Sequence, residues 1–437
     1  KKVLVVYGGP GELHELAVKG ANKVAVIEGE VTTKNTNGTS ILNWTTSTSR
    51  KVVQVGDLFV YILDRNTAYN YWVPDFVRED KWGAYSAPIN STTSVIVEAG
   101  YLVRNVYIQD KALHINGDVN ATVPIKVLGA PAGLRSLHFN DRSLKYTVDS
   151  VTGEWSSTLE YSSPALNLPE LSALSWKYLD DLPEIQPSYD DSLWTAADHN
   201  STVNPTALKT PTSLYASDYG YNAGVLIYRG HFIASGNETK FYLSTQGGSA
   251  FGSSVWLNST YLGSWPGSDA SLANNKTYTL PNLSAGKKYV LTILVDNSGL
   301  DGNWVVGVDA MKAPRGILDY NLDGSSASKS RISWKLTGNL GGEQYIDKAR
   351  GPLNEGGLYA QRQSFVHPYP PNRNWAAGKP TDGINKAGVA FYQAEFDLKL
   401  PRDYDIPLSF RFGNTTTDGG AASYRALLWV NGYQFGK

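Results

Sequence analysis

The stretch Ala223-Gly224-Val225-Leu226-Ile227-Tyr228, followed by Phe232, returns as Ala387-Gly388-Val389-Ala390-Phe391-Tyr392, followed by Phe396. Tyr and Phe keep the same offsets from Ala in both copies. Further along, Val255-Trp256-Leu257-Asn258 leads to Gly263, and Leu428-Trp429-Val430-Asn431 leads to Gly436 at the same Asn-to-Gly spacing. Trp194 precedes the first copy and Trp375 the second. A repeat of this kind marks one supersecondary unit built twice. In a strand, Val225, Ile227 and Arg229 face one side of the pleat, and Leu226, Tyr228 and Gly230 the other. Each Trp-Leu/Val-Asn piece runs from a strand into a turn, where Asn tolerates a left-handed backbone. The expected fold is all-β, several β-sandwich domains that include two jelly-roll modules.

The copies differ downstream of this unit. After Gly263 two more strand-like runs appear, at 276–280 and 289–297, whereas one residue follows Gly436. A sheet without its closing strands leaves hydrogen-bonding edges bare. The second module is therefore expected to be truncated, with a parent chain that continues past Lys437. The chain also opens on Lys1-Lys2 with no signal peptide, so both ends read as cut.

Strand-like runs elsewhere suggest the organisation. Residues 1–73 read as the end of a larger β domain, and 74–167 as a small β-sandwich whose turns include Asn116-Gly117-Asp118. Residues 168–192, rich in acid and proline, read as a linker. The first jelly roll then spans 193–310, an irregular connector 311–373, and the truncated second module 374–437. With 42 Gly, 21 Pro and 12% aromatic residues, the composition is that of strands joined by turns.

Several function classes lose support. A net charge of -1 gives no reason to expect nucleic acid or a membrane surface as partner. No apolar run is long enough to span a bilayer. The absence of cysteine removes disulfides, zinc-cysteine sites and thiol nucleophiles. Asn-x-Ser/Thr sequons stand at Asn37, Asn43, Asn90, Asn120, Asn200, Asn237, Asn258, Asn275, Asn282 and Asn414, about twice what chance supplies. They favour a secreted, extracellular glycoprotein carrying N-glycans. The alternative is an Asn/Ser/Thr-rich β protein with unused sequons.

No catalytic residue emerges from local motifs. A retaining glycosidase needs two carboxyl groups about 5 Å apart. Asp180-Asp181 and Asp190-Asp191 are adjacent, but neighbours on an extended chain point to opposite faces, and they read as solvated linker charges. His14-Glu15 lacks a second ligand, because Val18 stands where the next His of a zinc helix belongs, and no metal site or cofactor is expected. Gly8-Gly9-Pro10-Gly11 reads as a plain turn, since Pro10 removes an amide that a phosphate loop needs. No Gly-x-Ser-x-Gly elbow is present.

One loop has the composition of a sugar-contacting surface: Asp296-Asn297-Ser298-Gly299-Leu300-Asp301-Gly302-Asn303-Trp304. A large ring among polar and glycine residues suits stacking on a pyranose face. Trp304 packing against a neighbouring domain is the alternative. Trp256 and Trp429, on strands, are expected to be buried in cores.

These same residues carry a resemblance. Asp296-Asn297, Gly299-Leu300-Asp301, Asn303-Trp304 and Pro314-Arg315-Gly316-Ile317 resemble the corresponding run in secreted filamentous-fungal β-galactosidases of glycoside hydrolase family 35. So do Gly388-Val389-Ala390-Phe391-Tyr392, the stretch from Trp429 to Gly436, and the opening Leu4-Val5-Val6-Tyr7-Gly8-Gly9-Pro10-Gly11-Glu12. The likeness extends over essentially the whole chain.

The resemblance implies a parent with an N-terminal (β/α)₈ barrel whose two glutamates remove terminal non-reducing β-D-galactose with retention. Smaller β domains come after it, among them two jelly rolls of the galactose-binding-domain kind. This chain would be the accessory part that lacks the barrel and both glutamates, inactive alone. Its partners would be the rest of the polypeptide and β-galactoside substrates. Trp304, with Asn303, would lie on a loop facing the barrel mouth. Gly302 departs from the family, which often has Glu there. A lectin-like carbohydrate-binding protein is the competing reading.

Overall fold

The computed structural model describes residues 1–20, 23–76, 94–221, 223–248, 251–297, 314–323, 326–340, 347–370, 375–413 and 424–436. The chain divides into two compact units, Lys1–Leu166 and Asn167–Lys437.

The first unit holds two sandwiches. In the first, a four-stranded sheet has the spatial order Lys2–Gly8, Leu58–Asp64, Lys51–Val55, Val24–Glu28. Its opening pair is parallel, with Lys2 opposite Leu58. Leu13–Lys19, Thr39–Thr45 and Thr32–Thr36 form a three-stranded sheet, with Thr39–Thr45 in the middle. Leu42 and Trp44 alternate inward from it to meet Val53, Val55, Val60 and Ile62. Leu58–Asp64 is buried on both faces, since Phe59 and Tyr61 belong to a second cluster with Leu128. That explains its unbroken apolar run. Residues 1–73, read as a domain's tail, thus carry two sheets around their own core. The sequence hid this because Thr32–Thr36 is exposed along its whole length and has no apolar face.

The second sandwich packs two sheets around Val97, Val106, Leu113, Ile115, Ile125, Val127 and Leu137. One sheet runs Leu102–Gln109, Ala112–Asp118, Ser136–Phe139, Arg142–Leu144. The other runs Thr147–Val148, Trp155–Leu159, Val123–Leu128, Ile96–Glu98, Tyr71–Trp72. Two hairpins turn on left-handed pairs, Asp110-Lys111 and Asn140-Asp141. Asn116-Gly117-Asp118, read as a turn, instead continues Ala112–Asp118. Gly117 is needed there because a Cβ would collide with the Leu102 carbonyl oxygen. Asn140 also brackets it, accepting from the Gly117 amide at 3.0 Å and donating to its carbonyl at 2.8 Å.

In the second unit, the first repeat copy builds a jelly roll. Six strands take the order Thr195–Ala196, Ser333–Asn339, Ala223–Ile233, Lys288–Asn297, Phe251–Leu257, Thr260–Trp265. Lys240–Gly248, flanked by Ser268–Thr279 and Ile317–Leu322, makes the facing sheet. Leu226 and Tyr228 enter the core between them, with Phe241, Leu243, Val255, Ile293, Ile317, Trp334 and Leu336. Val225 and Ile227 point the other way, into a cluster with Leu182, Ile185, Trp256 and Leu358. The alternation expected from the sequence is the one observed. Ile317–Leu322 and Ser333–Asn339, inside the stretch read as an irregular connector, supply one strand to each sheet. The sequence already shows a strand-like run at Arg331 to Leu336, whereas polar, Gly- and Ser-rich surroundings masked Ile317–Leu322.

The stretch read as a linker is also structural. Lys177–Asp180 pairs antiparallel with Ala390–Gln393 of the second copy and with Ala376–Ala377. Leu428–Val430 and Tyr433–Gly436 form the second copy's hairpin. Asn258 and Asn431 take the same left-handed conformation, φ 49° and 51°, so the repeat holds at backbone level. Burial is not repeated: Phe232 is 4% exposed and Phe396 39%.

Candidate functional site

The loop that the sequence marks as sugar-contacting leaves Lys288–Asn297 and rejoins the described chain at Pro314. Trp304 and Asn303 lie outside the described residues, but the frame from which the loop departs is defined. At the outgoing end Asn297 is fully buried, opposite Phe251, and Asp296 pairs with Arg425. At the incoming end Arg315 is 1% exposed and its guanidinium lies 4.5 Å from the Phe251 ring centre. The Arg315 carbonyl accepts from Ala216 N at 2.8 Å, and the Gly316 carbonyl from Gln246 N at 3.2 Å. Gly316, at φ 115°, allows this crossing, because a Cβ would sit against the Tyr228 hydroxyl and the Leu214 carbonyl oxygen. Tyr228 donates that hydroxyl to Leu214 at 3.0 Å. Both loop ends are therefore held by buried, hydrogen-bonded groups, the rigid support that a positioned loop requires.

The acidic pairs do not behave as solvated linker charges. Asp180 and Asp190 stay accessible, but Asp181 and Asp191 are 2% and 8% exposed. Within each pair one carboxylate stays accessible while other segments of the chain cover its neighbour. Asp191 Oδ2 accepts from Arg229 Nη1 and lies beside His231 Nε2, each at 2.6 Å, and Lys335 Nζ is 3.3 Å from Oδ1. Arg229 also donates to the carbonyls of Tyr189 and Gln186 at 2.8 and 2.9 Å. Burial alone would raise the Asp191 pKa, but His231, Arg229 and Lys335 together hold it below the usual range. This clasps the acidic stretch to the jelly roll. One signal pointed to it: Arg229 shares a face with Val225 and Ile227, and a guanidinium on a buried face demands a counter-charge.

Asp181 accepts from Ala360 N at 2.5 Å, and burial pushes its pKa up to about 7. Glu184, with no exposure, pairs with Arg362. Neither carboxyl lies in an open cleft where a glycosidic bond could reach it. A polar groove of about 380 Å³ occurs instead in the first unit, around Arg50, Glu28, Asp149 and Glu154. There Arg50 is occupied by Glu28 at 2.8 Å and Glu154 at 2.7 Å. Among the described residues no cluster of three or more His, Cys, Asp or Glu is arranged to hold a metal. No helix there is long and apolar enough to cross a membrane.

Trp256 is 2% exposed, as its strand position suggested. Trp429 is half-buried, 6.5 Å from the Phe391 ring. Of the sequons, Asn37, Asn120, Asn200, Asn237, Asn275 and Asn282 are exposed. Asn43 and Asn258 are half-buried, and Asn258 spends its Oδ1 on the Val290 amide at 3.0 Å. Asn90 and Asn414 lie outside the described residues.

The described residues fold as a succession of β-sandwich domains with a framed loop, and the sequence matches a known set of such domains. Residues 1–71 match the model of β-galactosidase domain 2, 72–156 that of β-galactosidase domain 3, and 189–301 with 359–437 that of the β-galactosidase second all-beta domain. The chain belongs to the β-galactosidase family. Its relatives include β-galactosidase A of Aspergillus oryzae and of Aspergillus niger, each 53% identical over 440 residues, and that of a Penicillium species, 52% identical over 441. Each alignment takes in all of this chain and 43% of the relative, so the chain spans less than half the length of these proteins.

Proposed function

We propose that this chain is the accessory, β-rich part of a secreted, glycosylated, retaining β-galactosidase of glycoside hydrolase family 35. The parent enzyme removes terminal non-reducing β-D-galactose with two glutamates on a barrel outside this chain. The observation that carries this reading is identity of 53% along the full 437 residues to proteins named β-galactosidase A. The framed loop supports a role for Trp304 and Asn303 beside the substrate, shaping the site for the sugar beyond the galactose.

A chromogenic β-galactoside tests the first part. The isolated chain is expected to give no turnover, and a preparation that includes the barrel to give it. Turnover by this chain alone would refute the assignment, and retention of this chain alone on immobilised galactan would favour a lectin. In the complete enzyme, Trp304→Ala is expected to alter preference among galactoside linkages with little change in thermal midpoint; an unchanged linkage profile would remove Trp304 from the site. Glycosidase treatment of the secreted protein is expected to map glycans to exposed sequons such as Asn37, Asn120 and Asn200, with Asn258 bare. An unglycosylated chain would overturn the secretory reading.

A further inference from the structure

The acidic stretch ahead of the first jelly roll does more than join elements. Lys177–Asp180 adds a strand to the second copy, and the Asp181 amide then donates to the Val389 carbonyl at 2.8 Å. Three residues on, the Glu184 carbonyl accepts from Thr292 of the first jelly roll at 3.1 Å. Leu182 and Ile185 share a cluster with Val225, Ile227 and Trp256, against which Ala387, Val389 and Leu427 pack. The stretch is thus a strap between the two repeat copies.

Two carboxyl groups are buried in that strap, beside the part-buried guanidinium of Arg362. Asp181 binds the amide of Ala360 at the start of the short helix Tyr359–Arg362. Glu184 pairs with Arg362 through Oε1, while its buried Oε2 has no hydrogen-bond partner. Arg362 donates Nε to the Gly357 carbonyl at 3.1 Å, and its guanidinium lies 5.4 Å from the Trp194 ring and 5.9 Å from that of Tyr359. Burial pushes Arg362 down to about 10, so it stays charged in neutral solution. Other titratable groups nearby are Asp180, already paired with Lys386 of the second copy, and Tyr189 and Tyr359. The first jelly roll presents the Thr292 hydroxyl to the strap here. With both carboxyl groups ionised, one cation faces two anions in a site with little access to water. With one proton bound, the charges cancel.

We propose that Asp181, Glu184 and Arg362 form a buried proton-binding site that clasps the second repeat copy to the first jelly roll and weakens as pH rises. Asp181 binds the proton more tightly in the closed strap than in the opened chain, where its carboxyl ionises at the ordinary value. Opening therefore releases a proton. The clasp's contribution is full below the ordinary aspartate range and is lost as pH climbs through about 7.

Hydrogen exchange on the full 437-residue chain tests this, read at Lys177–Asp180 and Ala390–Gln393 and corrected for intrinsic exchange rates. Protection is expected to fall roughly tenfold per pH unit from about pH 5 to 7 and then level off. In Asp181→Asn, which keeps an acceptor for Ala360 but cannot ionise, protection should hold across that window. In Glu184→Gln one carboxyl faces one guanidinium, so the levelling-off point should move towards acid. A flat wild-type profile, or a wild-type slope retained in Asp181→Asn, overturns the proposal. If Asp181→Asn does not fold, an unmoved profile in Glu184→Gln overturns it equally.

Discussion

At the scale of single residues, the second unit relies on charges that its interior satisfies. Arg229 is fully buried and its side chain is matched by Asp191. Replacing the carboxylate by Asn leaves a desolvated guanidinium under-compensated. Asp191→Asn is expected to cost about 3–5 kcal/mol in urea unfolding, with little relief from added salt. A loss below about 1 kcal/mol would mean that water reaches Arg229. Gly316→Ala tests the loop frame by a different route, through strain at φ 115° and contact with Tyr228. It should destabilise by more than about 2 kcal/mol, and an unchanged melting midpoint would show that the frame yields.

At the scale of elements, the two repeat copies share local backbone and differ in company. Leu226 and Tyr228 sit between two sheets, so Leu226→Ala is expected to cost about 2–5 kcal/mol by chemical denaturation. Val389 packs on the strap and Ala390–Gln393 borrows its neighbour from Lys177–Asp180. Leu179→Pro, which removes a ladder amide opposite Phe391, should expose 390–413 to limited proteolysis while the first jelly roll stays resistant. Equal resistance of both regions would show that this pairing is dispensable. The strand pairs within each copy were readable from alternation, because a pleat imposes period two on any half-buried strand. Lys177–Asp180 was not, since its partner lies far away in the sequence and acidic, proline-containing flanks look like a solvated connection.

At the scale of the whole chain, opposed proton linkages shape the second unit. Burial favours the neutral form of Glu238, but the Ser235 amide and Arg331 prevail and lower its pKa to about 2. Its stabilisation is present above the ordinary glutamate range and is lost as pH falls towards that value. Asp181 acts in the other direction, losing its contribution as pH rises through about 7. The stability maximum of this unit should fall at about pH 4–5, and Glu238→Gln should flatten only the acid limb. Urea midpoints across about pH 2.5–8 would contradict this if both limbs changed together.

Patterning of apolar residues determined that the chain is all-β, that one module occurs twice, and which face of its founding strand enters a core. These are local consequences of backbone geometry. Tertiary structure alone decided that a presumed linker is a strap, that a presumed connector supplies strands to a jelly roll, and that one member of each aspartate pair is buried, Asp191 against cations and Asp181 against a backbone amide. Burial and charge compensation depend on which distant segments cover a residue. That is a property of the packed molecule, which no window of neighbouring residues contains.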